Sequence, residues 1–525
     1  MKVLIADKVS PTCAASLRAS GLEAEHRTGL SGDDLLRAVA DVDGIVVRSD
    51  TQITDEVMAA APRLRVVARA GAGVDNIDVA AATRRGIVVM NAPGENTISA
   101  AEHTMSMILS LARRIPQADR SMRSGLWERG RFMGVELFGK TLGILGVGKV
   151  GREVAARARA FGMEVLGYDP VLSEQVASRV GVRLVTPEEI FDKADLITLH
   201  LPLTETTRHM IGREQLALCR RGVLIVNVAR GGVIDEAALC EGLRSGQVGG
   251  AGLDVFESEP PTGSPLIDID TVVVTPHLGA STREAQEKVA ARIAEQVAAY
   301  LKDGVVANAV NLEGVDPAII PAIQPYRVLC ERLGGLLSSL GEPPISEVVL
   351  EYSGAVLEYP TTPLTASFLK GLLQGKLSDP VNAVNAAILA REAGIRVQET
   401  RSEDAHDFAA LIKASLKGGS ATRSVAGTLF GKRDPRLVRI DEFQLDAIPE
   451  GAMLIVSNDD RPGMVGLIGT VLGEAKVNIA YMSLGRDRSG GRAVAVLNLD
   501  SPLPQSLRRA IAAIDGVLWV EHVTL

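Results

Sequence analysis

Residues Thr141–Asp169, TLGILGVGKVGREVAARARAFGMEVLGYD, decide how the chain is read. An apolar run, Leu142–Leu145, enters Gly146-Val147-Gly148-Lys149-Val150-Gly151, a helical pattern opens at the last glycine, and a second apolar run, Val165–Tyr168, ends at Asp169. In a chain with 52 glycines the spacing alone is a weak signal, but here it joins a strand to a helix and is followed by an acid about 20 residues on. Such glycines permit a tight turn and let backbone N–H groups approach a pyrophosphate at the positive end of a helix. Asp169 can accept hydrogen bonds from ribose hydroxyls and would repel a 2′-phosphate, so NAD is expected rather than NADP.

Outward from this unit, apolar runs at Leu196–Leu199, Leu224–Asn227, Ala251–Val255 and Val272–Thr275 alternate with helical segments. The alternation predicts an α/β fold with a doubly wound parallel sheet. Towards the N-terminus, Val3–Ala6, Ile45–Val47, Val66–Ala68 and Ile87–Met90 predict a smaller α/β layer. Two long helical patterns, Ser99–Ile115 and Glu284–Gly304, are expected to cross between the two lobes and make the first one discontinuous. Beyond it, strand and helix signals mix without a motif tied to chemistry. From Met453 the order is βαββαβ, the ferredoxin-like plan. The expected units are 1–97 with 286–311, 98–285, 312–449 and 450–525.

At 525 residues the chain is too long for one core. Its formal net charge of -8 argues against nucleic-acid binding. No apolar stretch approaches the roughly 18–20 residues of a membrane span, and the N-terminal run is broken by Asp7, so a soluble, cytoplasmic protein is expected. Cys13, Cys219, Cys240 and Cys330 are scattered and suit ordinary buried thiols, with no metal site expected.

Three polar residues follow strands of the parallel sheet: Arg230 after LIVNVA, Glu259 after GLDVFES and His277 after VVVTP. Ligands of open α/β sheets lie beyond the carboxyl ends of the strands, so all three are expected on the cofactor rim. Oxidising an alcohol with NAD needs a base for the hydroxyl proton, and His277 is the candidate. A carboxylate beside it would orient the imidazole; spacing leaves Glu257 and Glu259 open, with Glu259 preferred. Arg230 can clamp a 2-hydroxy acid's carboxylate at two points. His103, inside the first crossing helix, is read as structural.

Together VARAGAGVDNID, NAPGENTISAAEH, GKTLGILGVGKVGREVA, GYDP, NVARGGVIDEAAL, AGLDVFESEPP and TPHLGASTREAQ resemble the D-isomer-specific 2-hydroxyacid dehydrogenases, over about the first 310 residues. NDDRPGMVGLIGTVLGEAKVNIA resembles the start of an ACT domain, so the whole looks like the long, phosphoglycerate-oxidising branch of that family. The resemblance implies a Rossmann-type nucleotide domain, a flavodoxin-like substrate lobe, an α+β intervening allosteric domain and a regulatory ACT domain. It implies oxidation of 3-phosphoglycerate by NAD as the first step of L-serine synthesis, feedback by L-serine, and a homotetramer.

The family pattern selects Arg230, Glu259 and His277 as the catalytic trio. Besides Gly146, Gly148 and Gly151, it puts cofactor contacts at Lys149, Val150, Asp169, Val228, Ala229, Arg230, Asp254, His277, Leu278, Gly279 and Ala280. Substrate contacts fall at Arg48, Ser49 and Asn96, with Trp127 and Arg129 reaching across a subunit interface. Effector contacts fall at Asp460 and Asn478; Asn458 departs from an aromatic residue of some relatives. Competing expectations are a dehydrogenase of another 2-hydroxy acid, such as glycerate or hydroxypyruvate, and an NAD-sensing scaffold.

Overall fold

The computed structural model describes residues 1–312, 319–341, 344–377, 380–405, 407–418 and 421–525. Its first sheet is built from β1 (Lys2–Ile5), β2 (Glu23–His26), β3 (Gly44–Val47), β4 (Val66–Arg69) and β5 (Val88–Asn91), all parallel in the order β2-β1-β3-β4-β5. β3 is buried along its whole length, as its run Gly-Ile-Val-Val requires of a strand with helices on both faces. β2, Glu-Ala-Glu-His, is a charged edge strand, and its lack of an apolar run hides it from sequence periodicity.

The second sheet contains β6 (Thr141–Leu145), β7 (Glu164–Tyr168), β8 (Arg183–Leu184), β9 (Leu196–Leu199), β10 (Val223–Asn227), β11 (Val248–Leu253) and β12 (Val272–Val274). Their order is β12-β11-β10-β9-β6-β7-β8, again parallel throughout. The chain winds outward from β6 in one direction and from β9 in the other. This makes β6/β9 the switch point, where a crevice opens beyond the carboxyl ends.

The first crossing helix spans Thr97–Arg113 and stops earlier than the apolar pattern. Pro116 cannot donate to a helical ladder and would crowd the carbonyl four residues back. Arg114 instead takes a left-handed conformation (φ 53°), and a second helix, Ile115–Arg123, begins. The helix Arg283–Asp303 lays Val289, Ile293, Val297 and Leu301 into the same core as Val3, Ile5, Val46, Val66 and Val88 of the first sheet.

The third sheet takes β13 (Ile345–Gly354), β14 (Arg396–Ser402), β15 (Ala410–Gly418), β16 (Ala421–Phe430), β17 (Asp434–Ile440) and β18 (Phe443–Ala447) in the order β14-β13-β15-β16-β17-β18. Only the β13–β14 pair is parallel. The fourth, β20-β21-β19-β22, is antiparallel and consists of β19 (Ala452–Asp459), β20 (Ile479–Arg486), β21 (Arg492–Leu499) and β22 (Val517–Thr524). Helices Met464–Glu474 and Gln505–Ala512 cover one of its faces. Met453, Ile455, Val494 and Val496 on the other join Leu333, Leu337 and Phe368 in one core, which fuses the last two units.

A short loop ties this fused half to the first lobe. Asn382 Nδ2 donates to Gly86 O at 2.8 Å, Asn385 Nδ2 donates to Arg84 O at 3.2 Å, and Val384, 8% exposed, enters the first lobe's core. All four cysteines are buried and unpaired. Among the described residues no helix is long and apolar enough to cross a membrane.

Candidate active site

At the carboxyl end of β6 the three glycines do different work. Gly146 has φ +96°, and a Cβ there would stand 2.6 Å from the carbonyl oxygen of His200, so the turn excludes side chains. A Cβ at Gly151 would collide with Gly146 O, which sets how closely the helix Lys149–Ala160 packs on β6. Around Gly148 nothing lies within 4 Å of an added Cβ, and no side chain caps this helix. An open glycine at an uncapped helix start fits a pyrophosphate. Asp169 receives Val147 N–H at 3.0 Å on one carboxylate oxygen and Val171 and Leu172 N–H on the other, which fixes it beside the glycine loop.

Arg230 leaves β10 through a turn held by Asn227, which accepts Ala229 N–H and donates to Arg230 O. Its guanidinium crosses to the first lobe, where Nε meets Asp75 Oδ2 at 3.2 Å. Arg48, just after β3, and Arg69, at the end of β4, approach the same place. Burial, then the charges of Arg48 and Arg230, pull the Arg69 guanidinium down to about 10 against the opposing pull of Asp7 and Asp75. Burial is the larger cause, and the three like charges gathered there favour an anion between them. Arg48, Gly71, Asn96 and Ala280 line one small pocket between the lobes, and Lys149 reaches Gly94 on its flank. Ser49 is exposed beside Arg48.

His277 Nδ1 and Glu259 Oε2 are 2.8 Å apart. Burial alone would raise the Glu259 carboxyl, but the His277 hydrogen bond and charge and the Phe256 N–H outweigh it and hold it low. Glu257 faces elsewhere, pairing with His209 and receiving Glu236 N–H. His277 sits in the left-handed region (φ 53°). The loop is held by fully buried Asp254, whose carboxylate accepts Leu278 N–H at 2.7 Å, Gly279 N–H at 2.8 Å and the Thr275 hydroxyl, with His103 Nε2 at 3.2 Å. Val228 packs against Gly279. Asp254 thus acts on the loop, and His103, 151 positions distant, belongs to its support.

Within one chain Arg48, Asn96 and Ala280 of the His277 loop line one pocket, Arg230 joins Arg48 and Arg69 beside it, and His277 and Glu259 line a neighbouring hollow with Pro260 and Pro276. Trp127, 74% exposed, stands outside both, next to the short helical turn Arg129–Phe132 that begins with Arg129. Met122, Leu126, Met133 and Phe138 are exposed on the same segment. Asp460 and Asn478 are also apart. β21 pairs Arg492 with Asp459 and Leu499 with Ile479, roughly 23 Å apart along the strand at about 3.3 Å per residue, and Asp460 and Asn478 lie one residue beyond each, at opposite sheet ends. Asp460 accepts Gly490 N–H and faces Arg486, Asn478 donates to Asp500, and Asn458 is buried. Arg69 was not singled out from the sequence, though it shares its surroundings with Arg48 and Arg230. The signal was present, since the rule applied to the second sheet, a polar residue ending an apolar strand, also holds for β4.

Three family models match in succession: the NAD-binding domain of D-isomer-specific 2-hydroxyacid dehydrogenases at 105–279, the D-3-phosphoglycerate dehydrogenase intervening domain at 322–441, and the ACT domain at 452–516. The D-3-phosphoglycerate dehydrogenase of Archaeoglobus fulgidus is 42% identical over 528 residues, covering 100% of both chains. The crystal structure of the TT0316 protein from Thermus thermophilus matches at 36% identity and TM-score 0.55, covering 59% of this chain and 100% of that one. D-lactate dehydrogenase from Aquifex aeolicus, solved with NAD and lactic acid, matches at 28% identity and TM-score 0.53, covering 59% and 99%. With a nucleotide-binding switch point, an arginine-lined cleft and a full-length relative of this similarity, the chain belongs to the D-3-phosphoglycerate dehydrogenase family of NAD-binding D-isomer-specific 2-hydroxyacid dehydrogenases.

Proposed function

We propose that the chain oxidises 3-phospho-D-glycerate to 3-phosphohydroxypyruvate with NAD, the first step of L-serine biosynthesis, in the cytoplasm. The observation that carries this reading is the His277–Glu259 pair on a loop whose Ala280 lines the same pocket as Arg48, where Arg69 and Arg230 also gather. A substrate with a carboxylate beside the reacting carbon and a phosphate at its far end needs one base and several cations.

Bound NAD would supply the hydride acceptor, held by Gly146, Gly148, Lys149, Val150, Gly151, Asp169, Val228, Ala229, Arg230, Asp254 and the run from His277 to Ala280. Arg230 binds the substrate carboxylate in a planar, two-point geometry that fixes the face offered to the nicotinamide. With Nδ1 engaged by Glu259, His277 takes the hydroxyl proton at Nε2. Glu259 then stabilises the imidazolium, and in the reverse direction the same proton returns. Arg48, Arg69, Ser49 and Asn96 hold the rest of the substrate.

A homotetramer completes the site. The exposed apolar segment bearing Trp127 and Arg129 supports contact with a second copy, which would bring those two residues to the neighbouring cleft. The separation of Asp460 from Asn478 supports an L-serine site formed where two ACT sheets meet, each copy giving one of the pair. Serine inhibits provided that it binds the less active lobe arrangement more tightly.

The test is turnover of NADH with phosphohydroxypyruvate, compared with hydroxypyruvate, pyruvate and 2-oxoglutarate, with and without L-serine. Phosphohydroxypyruvate should have the highest kcat/KM, and His277→Ala should lower kcat by about 10²–10⁴-fold with NADH binding intact. Preference for an unphosphorylated acid, or near-normal turnover in folded His277→Ala protein, would refute the proposal.

A further inference from the structure

The arginine cluster poses a physical problem, because its guanidiniums repel one another and long side chains swing apart unless held. Arg48 and Arg69 share one holder. Asn76, 9% exposed in the turn after β4, uses its whole amide: Nδ2 donates to Arg48 O at 2.8 Å and to Thr51 O at 2.6 Å, and Oδ1 accepts from Arg69 Nε at 3.1 Å. From the other side Asp7, 2% exposed at the end of β1, accepts Arg48 N–H at 2.6 Å, Thr51 N–H at 3.3 Å and the Thr51 hydroxyl at 2.5 Å. The main chain of Arg48 is therefore gripped at both its N–H and its carbonyl, while the Arg69 fork is aimed through its Nε.

We propose that Asn76, backed by Asp7, is a positioning residue that sets the spacing of Arg48 and Arg69 before the anionic substrate arrives. The inference rests on reading the cleft as a phosphorylated hydroxyacid site. The chemistry asks for asparagine at this point. An aspartate could take the Arg69 Nε but would offer no donor to the two carbonyls, and its charge would neutralise the cation it aims. A hydrophobic residue would leave both carbonyls and the Arg69 Nε without a partner in a buried turn, with only the Nη1 bond to Ala70 O remaining to the guanidinium. Preorganised donors bind an anion without ordering their side chains at the moment of binding, so the effect belongs in KM rather than in the proton and hydride step.

The experiment measures kcat and KM for phosphohydroxypyruvate and for hydroxypyruvate, with NADH affinity alongside, in full-length wild type, Asn76→Ala, Asn76→Asp, Arg69→Ala and the Asn76→Ala/Arg69→Ala pair. Both Asn76 variants should raise KM for phosphohydroxypyruvate by about 10–100-fold, the range of one lost charge-assisted hydrogen bond. Their kcat should stay within about threefold and NADH affinity should hold. The rise should be smaller for hydroxypyruvate, which lacks the second anion. In the double variant the combined effect should fall short of the product of the two single effects, because Asn76 acts partly through Arg69. Unchanged KM, equal loss on both substrates, full multiplicativity or failure of both Asn76 variants to fold would each overturn the inference. Wild type that ignores phosphohydroxypyruvate would instead overturn the substrate assignment on which it rests.

Discussion

Replacing single glycines of the nucleotide loop by alanine separates the demands of the fold from those of the ligand. At Gly148 the backbone (φ -70°, ψ -158°) is extended and an added Cβ meets nothing within 4 Å. Gly148→Ala should therefore cost at most about 1 kcal/mol, the difference between glycine and alanine at a helix start. Its methyl group nevertheless occupies the space through which a pyrophosphate would approach the helix N-terminus. Losing one charge-assisted hydrogen bond there is worth about 1.5–3 kcal/mol, or roughly 10–150-fold in NADH affinity. Gly151→Ala drives its methyl into Gly146 O and should lower stability by about 1–3 kcal/mol or more by levering the helix off β6. The assay pairs thermal unfolding without nucleotide with a fluorescence titration of NADH. If Gly148→Ala bound NADH as tightly as wild type, or melted as early as Gly151→Ala, the division of labour within the loop would be wrong.

Asp254→Asn should loosen the His277 loop, because an amide offers one acceptor where the carboxylate receives four donors; kcat and the unfolding midpoint should both fall, and an unchanged kcat would separate this buried network from the reaction. Burial opposes ionisation of Asp254, but the bonds from His103, Thr275 and Leu278 N–H outweigh it and the carboxyl is held low. A depressed folded-state value means stability that is complete above the unfolded aspartate value of about 3.9 and is lost as pH falls below it, so acid unfolding of wild type should contain a component that Asp254→Asn lacks. Asp169→Ala should weaken NADH binding and raise the NADPH to NADH ratio of kcat/KM; equal use of both nucleotides by wild type would disprove the role given to this carboxylate. Gln296, 2% exposed in the helix Arg283–Asp303, finds no partner for either amide atom among the described residues, so Gln296→Met should stabilise the first lobe by about 1–3 kcal/mol, and a lower unfolding midpoint would show the amide to be bonded after all.

The nucleotide half was legible because its information is local. The glycine loop, the following helix and Asp169 occupy consecutive residues, and Arg230, Glu259 and His277 each follow a visible apolar strand. What escaped depends on partners distant in sequence. Asp254, named only through the family pattern, and His103 meet across 151 positions, and their joint support of the His277 loop shows only once the sheet brings them together. β2 carries no apolar run, and Pro116 ended a helix that periodicity alone would have carried further. In the intervening half, neighbouring strands such as β13 and β15 are far apart in sequence, and no motif announces their order. Asp460 and Asn478 lie at opposite ends of one sheet, so their proposed union is a property of two chains.

The loop Pro380–Ala386 also has a bearing on how such a protein can be recombined. Val384 fills space in a core that otherwise belongs to residues before 97 and after 283, and two asparagine amides cap the turn at Arg84–Gly86. The catalytic half is therefore cast with a socket, and the regulatory half with the matching peg. A chimera joining the front of one relative to the back of another inherits a mismatched joint unless the residues around 84–87 travel with the loop that fills it. Shuffling at the apparent linker near residue 312 respects the path of the chain but ignores the seam in space.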